Sequence, residues 1–182
     1  SKNVLLDYHK KNNINFPCVW KKTKFGYDGF GVKILKNEND LFDLPDSEMI
    51  IEDFVVFKKE LAVIVAMNKN RDIKTYDTVE MEFDPDSNQV EFVISPANIS
   101  EKINTIAKKT ASDLAKKLNL VGLLAVEMFL TSDEKILINE IAPRPHNSGH
   151  FSIDACPTSQ FKQYINTIIN CELGETFHEN CA

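Results

Sequence analysis

Glycine and proline are scarce in this chain, at six and seven of 182 residues. That excludes collagen-like and low-complexity architectures and leaves a chain that folds compactly throughout. No uninterrupted apolar run approaches the ~18 residues needed to cross a bilayer as a helix. The opening Ser-Lys-Asn lacks the basic-then-apolar layout of a secretion signal. The four cysteines form no C-x-x-C pair and have no histidine at zinc-ligand spacing. A zinc ribbon is thereby excluded, and a reduced, cytoplasmic protein is expected. Positive charge is also short, with 21 Lys and Arg against 27 Asp and Glu for a net charge of −6. Nucleic acid and anionic membranes are therefore poor partners. An acidic protein that binds a nucleotide needs local lysines or a metal cation.

What is present is a series of short apolar segments broken by turn signals. Residues 5–11 read as the end of a helix, which suggests a domain that begins upstream. Cys18–Lys22 and Val32–Leu35 read as strands around a glycine-bearing turn, and 36–48 as polar with Asn-Asp and Pro-Asp turns. Strands are expected over 49–57, 60–67, 72–83 and 89–94, the last two flanking the turn Asp84-Pro-Asp-Ser-Asn. The longest helix starts at the cap Ser100, with Ile103, Ile106, Thr110, Leu114 and Leu118 on one face and Lys108, Lys109, Lys116 and Lys117 in solvent. Strands over 121–130 and 135–142 and a helix over 159–169 complete an α+β order.

Two glutamates stand inside apolar strands, Glu127 in Val-Gly-Leu-Leu-Ala-Val-Glu and Glu140 in Ile-Leu-Ile-Asn-Glu-Ile-Ala. A hairpin turning on Asp133-Glu134 pairs residues whose numbers sum to 267, and 127 and 140 do. Their Cβ atoms would then be about 5 Å apart; a loop of odd length would make them diagonal instead. Opposed like charges need a shared proton or a divalent cation. Magnesium takes one or two carboxylates and completes its shell with water and phosphate oxygens. The alternative is that each glutamate meets a lysine or solvent.

Lys21 precedes a loop with glycines at 26, 29 and 31, positions where backbone N–H groups can approach phosphate. It is neither a Walker loop nor a dinucleotide fingerprint, and an Asp28-Gly29 hairpin turn without ligand explains it equally. Downstream of Glu140, Ala-Pro-Arg-Pro-His-Asn-Ser-Gly-His (residues 142–150) holds Arg144 extended between two prolines. Arg144 offers a planar fork for carboxylate or phosphate, and His146 and Asn147 add hydrogen-bonding groups. For His150 a purely structural role is an equal alternative.

In this order, these elements resemble the ATP-grasp domains of the 5-(carboxyamino)imidazole ribonucleotide synthetases. The likeness rests on Asn139-Glu-Ile-Ala-Pro-Arg-Pro-His-Asn-Ser-Gly-His, Thr158-Ser-Gln-Phe and Leu173-Gly174, supported by Gly26-Tyr-Asp-Gly and Glu52-Asp-Phe-Val-Val-Phe-Lys-Lys-Glu60-Leu, and it spans essentially the whole chain. It implies an ATP-grasp fold of two lobes with antiparallel sheets and packed helices, a lid lobe over 1–55 and a main lobe over 56–178. It also implies ATP with magnesium, or manganese in its place, and bicarbonate and 5-aminoimidazole ribonucleotide as substrates in purine biosynthesis. A homodimer of the longer enzyme stays open.

By the same resemblance Lys21 contacts ATP phosphates, and Gly26, Tyr27, Asp28, Gly29, Phe30 and Gly31 form the lid loop, with Tyr27 and Asp28 facing the imidazole ribonucleotide. Glu52, Asp53, Phe54 and Val55 form the hinge that reads adenine. Glu60 holds the ribose hydroxyls, Asn139 lies beside the nucleotide, Glu127 and Glu140 ligate the metal, and Arg144, His146 and Asn147 surround bicarbonate and carboxyphosphate. Departures are Phe30, where the family usually has Lys or Arg, and Glu80-Met-Glu-Phe83 in place of a Glu-Asn-x-His type stretch. Ala142 stands where many ATP-grasp proteins carry a third metal-ligating Asn, so two protein ligands are expected. The family's N-terminal domain and basic C-terminal segment have no counterpart here, so these 182 residues are expected to turn over weakly or not at all alone. The rivals are another ATP-grasp carboxylating ligase and a non-catalytic nucleotide-binding module. Loss of Lys21 or of a metal glutamate would mark the module, and neither is lost.

Overall fold

The structure is a computed structural model that describes residues 1–24, 31–84 and 90–178. The expectations for Gly26, Tyr27, Asp28, Gly29 and Phe30, and for the turn after Asp84, fall outside the described residues. Contacts divide the chain into a first unit built on Ser1–Val56 and a second built on Phe57–Phe83 and residues 90–178.

In the first unit, helix α1 (Lys2–Asn12) precedes the antiparallel strands β1 (Cys18–Lys22), β2 (Val32–Leu35) and β3 (Met49–Asp53), in the order β2-β1-β3. Side chains alternate along β1, so Cys18 and Trp20 enter a core with Leu5, Leu35, Leu41 and Leu44. Leu41 and Leu44 come from the polar stretch 36–48. It holds a single 3-10 turn over Glu38–Leu41, closed by Asn37 and Asp40 as reciprocal caps. Backbone N–H groups of Lys36, at 2.6 Å, and Asn37 hold the Asp40 carboxyl below its usual range. The strand expected over 49–57 stops at Asp53, which pairs with Cys18, the first residue of β1; past it the ladder has no partner.

The second unit is an antiparallel sheet in the order β7-β6-β4-β8-β9, with β5 on the β4 edge. Its strands are β4 (Lys59–Met67), β5 (Ile73–Thr75), β6 (Val79–Phe83), β7 (Val90–Ile94), β8 (Gly122–Leu130) and β9 (Ile136–Ala142). Helices α2 (Glu101–Lys117), α3 (Ser152–Ala155) and α4 (Gln160–Ile168) complete it. Residues 61–67 are all buried because both faces of β4 are covered along that stretch. Val63 and Val65 pack under α2, and Ile64 and Ala66 pack with Cys156 and Leu173 on the other face.

Helix α2 sets Ile103 and Leu114 against the core as its apolar spacing suggests, but the centre of its buried face is rotated onto a stripe of alanines. Ile103, Ala107, Ala111 and Ala115 are buried, whereas Ile106 is 38% and Leu118 50% exposed. Three alanines one turn apart let the helix axis lie close to β4 and β8, and a count of large side chains misses such a stripe. Ser100 caps the helix as expected, accepting from the Ile103 N–H at 3.4 Å. Helix α4 is built the other way. Gln160, Gln163 and Thr167 form its buried face, while Phe161, Ile165 and Ile168 are exposed.

The strand expected over 72–83 is interrupted at Tyr76-Asp77-Thr78. Three residues there span two of β4, between the Val65–Thr75 and Ala62–Val79 pairs. The offset drives the Tyr76 ring into the core, where its hydroxyl donates to Thr158 O at 2.8 Å and burial pushes its pKa up. It also aims Asp77 at Lys108 and at His178 Nδ1, 2.5 Å away. Lys108 therefore holds a partner instead of standing free in solvent. Burial alone would raise the Asp77 carboxyl, but the hydrogen bonds from Lys108 and His178 outweigh it and hold the group below its usual value. Its stabilising contribution is full above the unfolded carboxylate value of about 3.9 and is lost as pH falls through the lower folded value. Asp77→Asn should cost about 1 kcal/mol at pH 7, discounted for partial exposure. Denaturant titrations at pH 7 and pH 3 should show that difference shrinking in acid.

Candidate functional site

The β8–β9 hairpin places Glu127 directly opposite Glu140, by a different route from the simple hairpin count. Near the turn the pairs are Leu130–Ile136, Phe129–Leu137 and Met128–Ile138, each summing to 266, so the loop holds five residues. An odd loop alone would set Glu127 opposite Asn139 and turn Glu140 to the other face of the sheet, not merely to a diagonal position. The register then shifts between Met128 and Glu127, one extra residue enters β9 at Asn139, and the pairs from Glu127–Glu140 onward sum to 267. The bulge restores the opposition and re-aims Asn139 beside it. The turn is stiffened by Thr131 and Asp133, whose carboxyl is held down at about 2 by hydrogen bonds from Lys135 first and then Thr131.

Register also says which side of the sheet the pair occupies. Ala62 is the β4 partner of Glu127 and Phe129 that of Glu60, so Glu60, Glu127, Phe129 and Glu140 share one face. Phe57 stacks on Phe129, with ring centroids 4.4 Å apart and planes 6° apart. Lys59 and Glu80 belong to the opposite face, joined by a 2.6 Å ion pair. The Glu80–Phe83 variant thus contributes a Lys59 partner on the α2 side of the sheet.

Beyond β9 the proline-braced run brings His146 back to the hairpin, with Nε2 3.3 Å from Glu127 Oε1. The backbone N–H of Ser148 donates to His146 Nδ1 at 3.3 Å and the Ser148 hydroxyl lies 2.9 Å from the same nitrogen, an arrangement that suits the tautomer with its proton on Nε2, facing the carboxylate. Arg144 is exposed, with Nη1 donating to Pro145 O at 3.0 Å. Asn147 is exposed at the start of a 3-10 turn, Asn147–Gly149. His150 stacks on Phe161 with centroids 5.9 Å apart.

Behind this turn stands Gln160, fully buried. Its Oε1 accepts from the His146 N–H at 2.9 Å and its Nε2 donates to the His146 carbonyl at 2.8 Å. In the sequence Gln160 stands within the motif Thr158-Ser-Gln-Phe, which by itself gives it no role. The available signal was the polar stripe Gln160, Gln163, Thr167 on a helix whose other side is apolar.

In the first unit Lys21 Nζ lies 2.8 Å from Glu52 Oε2. Val32, Ile34 and Ile50 are exposed on the same face of that sheet. Asp53 ends β3, Phe54 and Val55 continue it without strand pairing, and Gly31 has φ 89°. Burial, and then the charge of Asp53, raise the Cys18 thiol above its ordinary value, so it stays protonated and inert. Cys18, Cys156 and Cys171 are free thiols. Among the described residues no group of three or more His, Cys, Asp or Glu could hold a metal ion, and no helix is long and apolar enough to cross a membrane.

This arrangement can be set beside known proteins. The ATP-grasp domain model matches residues 6–161. The chain is 44% identical over 168 residues to the N5-carboxyaminoimidazole ribonucleotide synthase of Bacillus subtilis, an alignment that covers 90% of this chain and 43% of that protein. The crystal structure of an ADP complex of N5-carboxyaminoimidazole ribonucleotide synthetase superposes with a TM-score of 0.91 at 40% identity, covering all of this chain and 48% of the other. The Aspergillus clavatus N5-carboxyaminoimidazole synthase, in complex with ADP and 5-aminoimidazole ribonucleotide, gives 0.86 at 28% identity, covering 100% and 47%. The chain thus spans less than half the length of these proteins. With its α+β architecture and a family match over most of its length, the chain belongs to the ATP-grasp domain family.

Proposed function

We propose that this chain is the nucleotide- and metal-binding part of a ligase of purine biosynthesis. The ligase cleaves ATP to activate bicarbonate as carboxyphosphate, then carboxylates the exocyclic amine of 5-aminoimidazole ribonucleotide. The observation that carries the reading is the direct opposition of Glu127 and Glu140, with His146 3.3 Å from the former. The names of the relatives support the choice of substrates, since they include synthases of N5-carboxyaminoimidazole ribonucleotide and a complex with ADP and 5-aminoimidazole ribonucleotide.

The donor set fits magnesium. Two carboxylates on adjacent strands suit an ion that fills its remaining sites with water and phosphate oxygens, and manganese tolerates the same ligands. When bound, the ion offsets charge on the phosphoryl group in transfer. The rest is the work of the chain. Glu127 and Glu140 hold the ion, and His146 orients Glu127 through its Nε2–H. Arg144 and Asn147 line the position of bicarbonate and the acyl phosphate, where donors stabilise a developing oxyanion. Lys21 exchanges Glu52 for a phosphate oxygen. The segment Glu52–Val55 reads adenine, Glu60 takes the ribose hydroxyls, Asn139 serves the nucleotide, and by the family resemblance residues 26–31 serve the phosphates and Tyr27 and Asp28 the imidazole ribonucleotide. Residues 1–55 act as the lid lobe and 56–178 as the main lobe. A cytoplasmic location and a homodimer of the longer enzyme belong to the same proposal.

The test grafts these 182 residues in place of the matching part of the Bacillus subtilis relative and follows ADP release. Release should require bicarbonate and 5-aminoimidazole ribonucleotide together with magnesium or manganese. Release that ignores bicarbonate would refute the carboxylation reading. Tight ATP binding with no cleavage would instead favour the nucleotide-binding module.

A further inference from the structure

We propose, resting on the function proposed above, that Gln160 is a positioning residue. Its side-chain amide clamps the backbone of His146 on both sides and so sets the imidazole against Glu127. Gln160 is fully buried at the first turn of α4, and its amide is matched bond for bond to a single residue, accepting from the His146 N–H at 2.9 Å and donating to its carbonyl at 2.8 Å. A primary amide in this register repeats the pairing of a neighbouring strand, so it fixes both the position and the direction of the backbone it holds.

The clamp is itself held in place. The Ser152 hydroxyl accepts from the Gln160 backbone N–H at 2.8 Å and donates to the Gly149 carbonyl at 2.6 Å, tying the start of α4 to the end of the His146 turn. Gly149 packs flat on the amide, and a Cβ there would lie 2.6 Å from Gln160 Oε1 and 2.7 Å from its Cδ. The position therefore accepts only glycine while the amide stays in place. With the backbone of His146 held from α4 and its Nδ1 held by Ser148, the direction of Nε2 toward Glu127 is determined. Elsewhere on α4 the same device recurs. Gln163 takes the Gly174 N–H and carbonyl, each at 2.9 Å, so the buried side of this helix is a pair of backbone clamps.

Gln160→Met keeps length and volume and removes both bonds; Gln160→Glu keeps an acceptor for the His146 N–H. In the 182-residue chain, amide hydrogen exchange at His146 should speed up at least tenfold in Gln160→Met and by less in Gln160→Glu, which keeps the acceptor for that N–H but sets a carboxylate oxygen against the His146 carbonyl. The imidazole 15N shifts should report an Nε2-protonated ring in the parent and an averaged ring in Gln160→Met. In the grafted enzyme, kcat for bicarbonate-dependent ATP cleavage should fall at least tenfold with the KM for ATP within twofold. Should Gln160→Met fail to fold, Gly149→Ala displaces the same amide from the opposite side and should give the same exchange and 15N changes. Unchanged exchange and an unchanged ring signature in a folded Gln160→Met or Gly149→Ala would overturn the clamp. If the grafted parent lacks bicarbonate-dependent cleavage, the proposed function fails, while exchange at His146 still decides the clamp.

Discussion

Glu140→Gln should reduce bicarbonate-dependent ATP cleavage in the grafted enzyme by roughly a thousandfold. Partners one shell removed from a metal typically matter by about 10–100-fold, and a direct ligand should matter more. The substitution is isosteric, so the β8–β9 ladder and its bulge at Asn139 should survive. What changes is charge. Two opposed carboxylates repel until a cation sits between them, so Glu140→Gln should make the hairpin slightly more stable without metal and much less able to hold one. Opposite signs for stability and metal affinity are specific to a ligating pair. Calorimetric titration of magnesium or manganese in the presence of ATP, with a denaturant titration of the metal-free protein, measures both. Cleavage within threefold of the parent would remove the carboxylate pair from the mechanism.

Gly174→Ala should cost about 3 kcal/mol of stability, a large share of what a domain has to lose. A Cβ at this position would lie 2.1 Å from Thr158 Oγ1 and 2.9 Å from Thr158 Cβ. Neither side can give easily. Thr158 is buried and its carbonyl accepts from the Tyr76 hydroxyl at 2.8 Å, while the Gln163 amide holds Gly174 through both backbone groups. Relief therefore means breaking bonds to buried groups, each left unsatisfied at about 1–3 kcal/mol. The double variant with Thr158→Ala removes Oγ1 and should recover part of the loss. Equilibrium denaturation followed by circular dichroism measures both variants. A loss under about 0.5 kcal/mol, the ordinary range for a surface change, would show that the backbone relaxes freely there.

Most strand positions were legible because period-2 alternation and turn residues are local signals. β1 and β2 fall on the residues read from the chain, and β4, β8 and β9 fall within one. Expectations failed where the deciding partner is distant in sequence. The strand from Met49 ends at Asp53 because β1 has run out, and the strand through Tyr76 breaks because Ile64 and Thr158 lie where they do. The α2 face was read only in part, with Ile103 and Leu114 right and Ile106 and Leu118 wrong, because alanine counts little toward apolar periodicity, yet only a small side chain permits close approach to a sheet.

By itself, the sequence determined most of the strands and helices, the family resemblance and the presence of two acids within apolar strands, since each is written in contiguous residues. Only the tertiary structure decided how those acids come to face one another. A five-residue loop alone would have turned them to opposite faces of the sheet, and a single inserted residue at Asn139 brings them together. It likewise decided that His146 meets Glu127 and that Gln160 holds His146, because those contacts join β8, a loop and α4. A side chain's neighbours across such gaps are set by packing and register, and no local pattern encodes them.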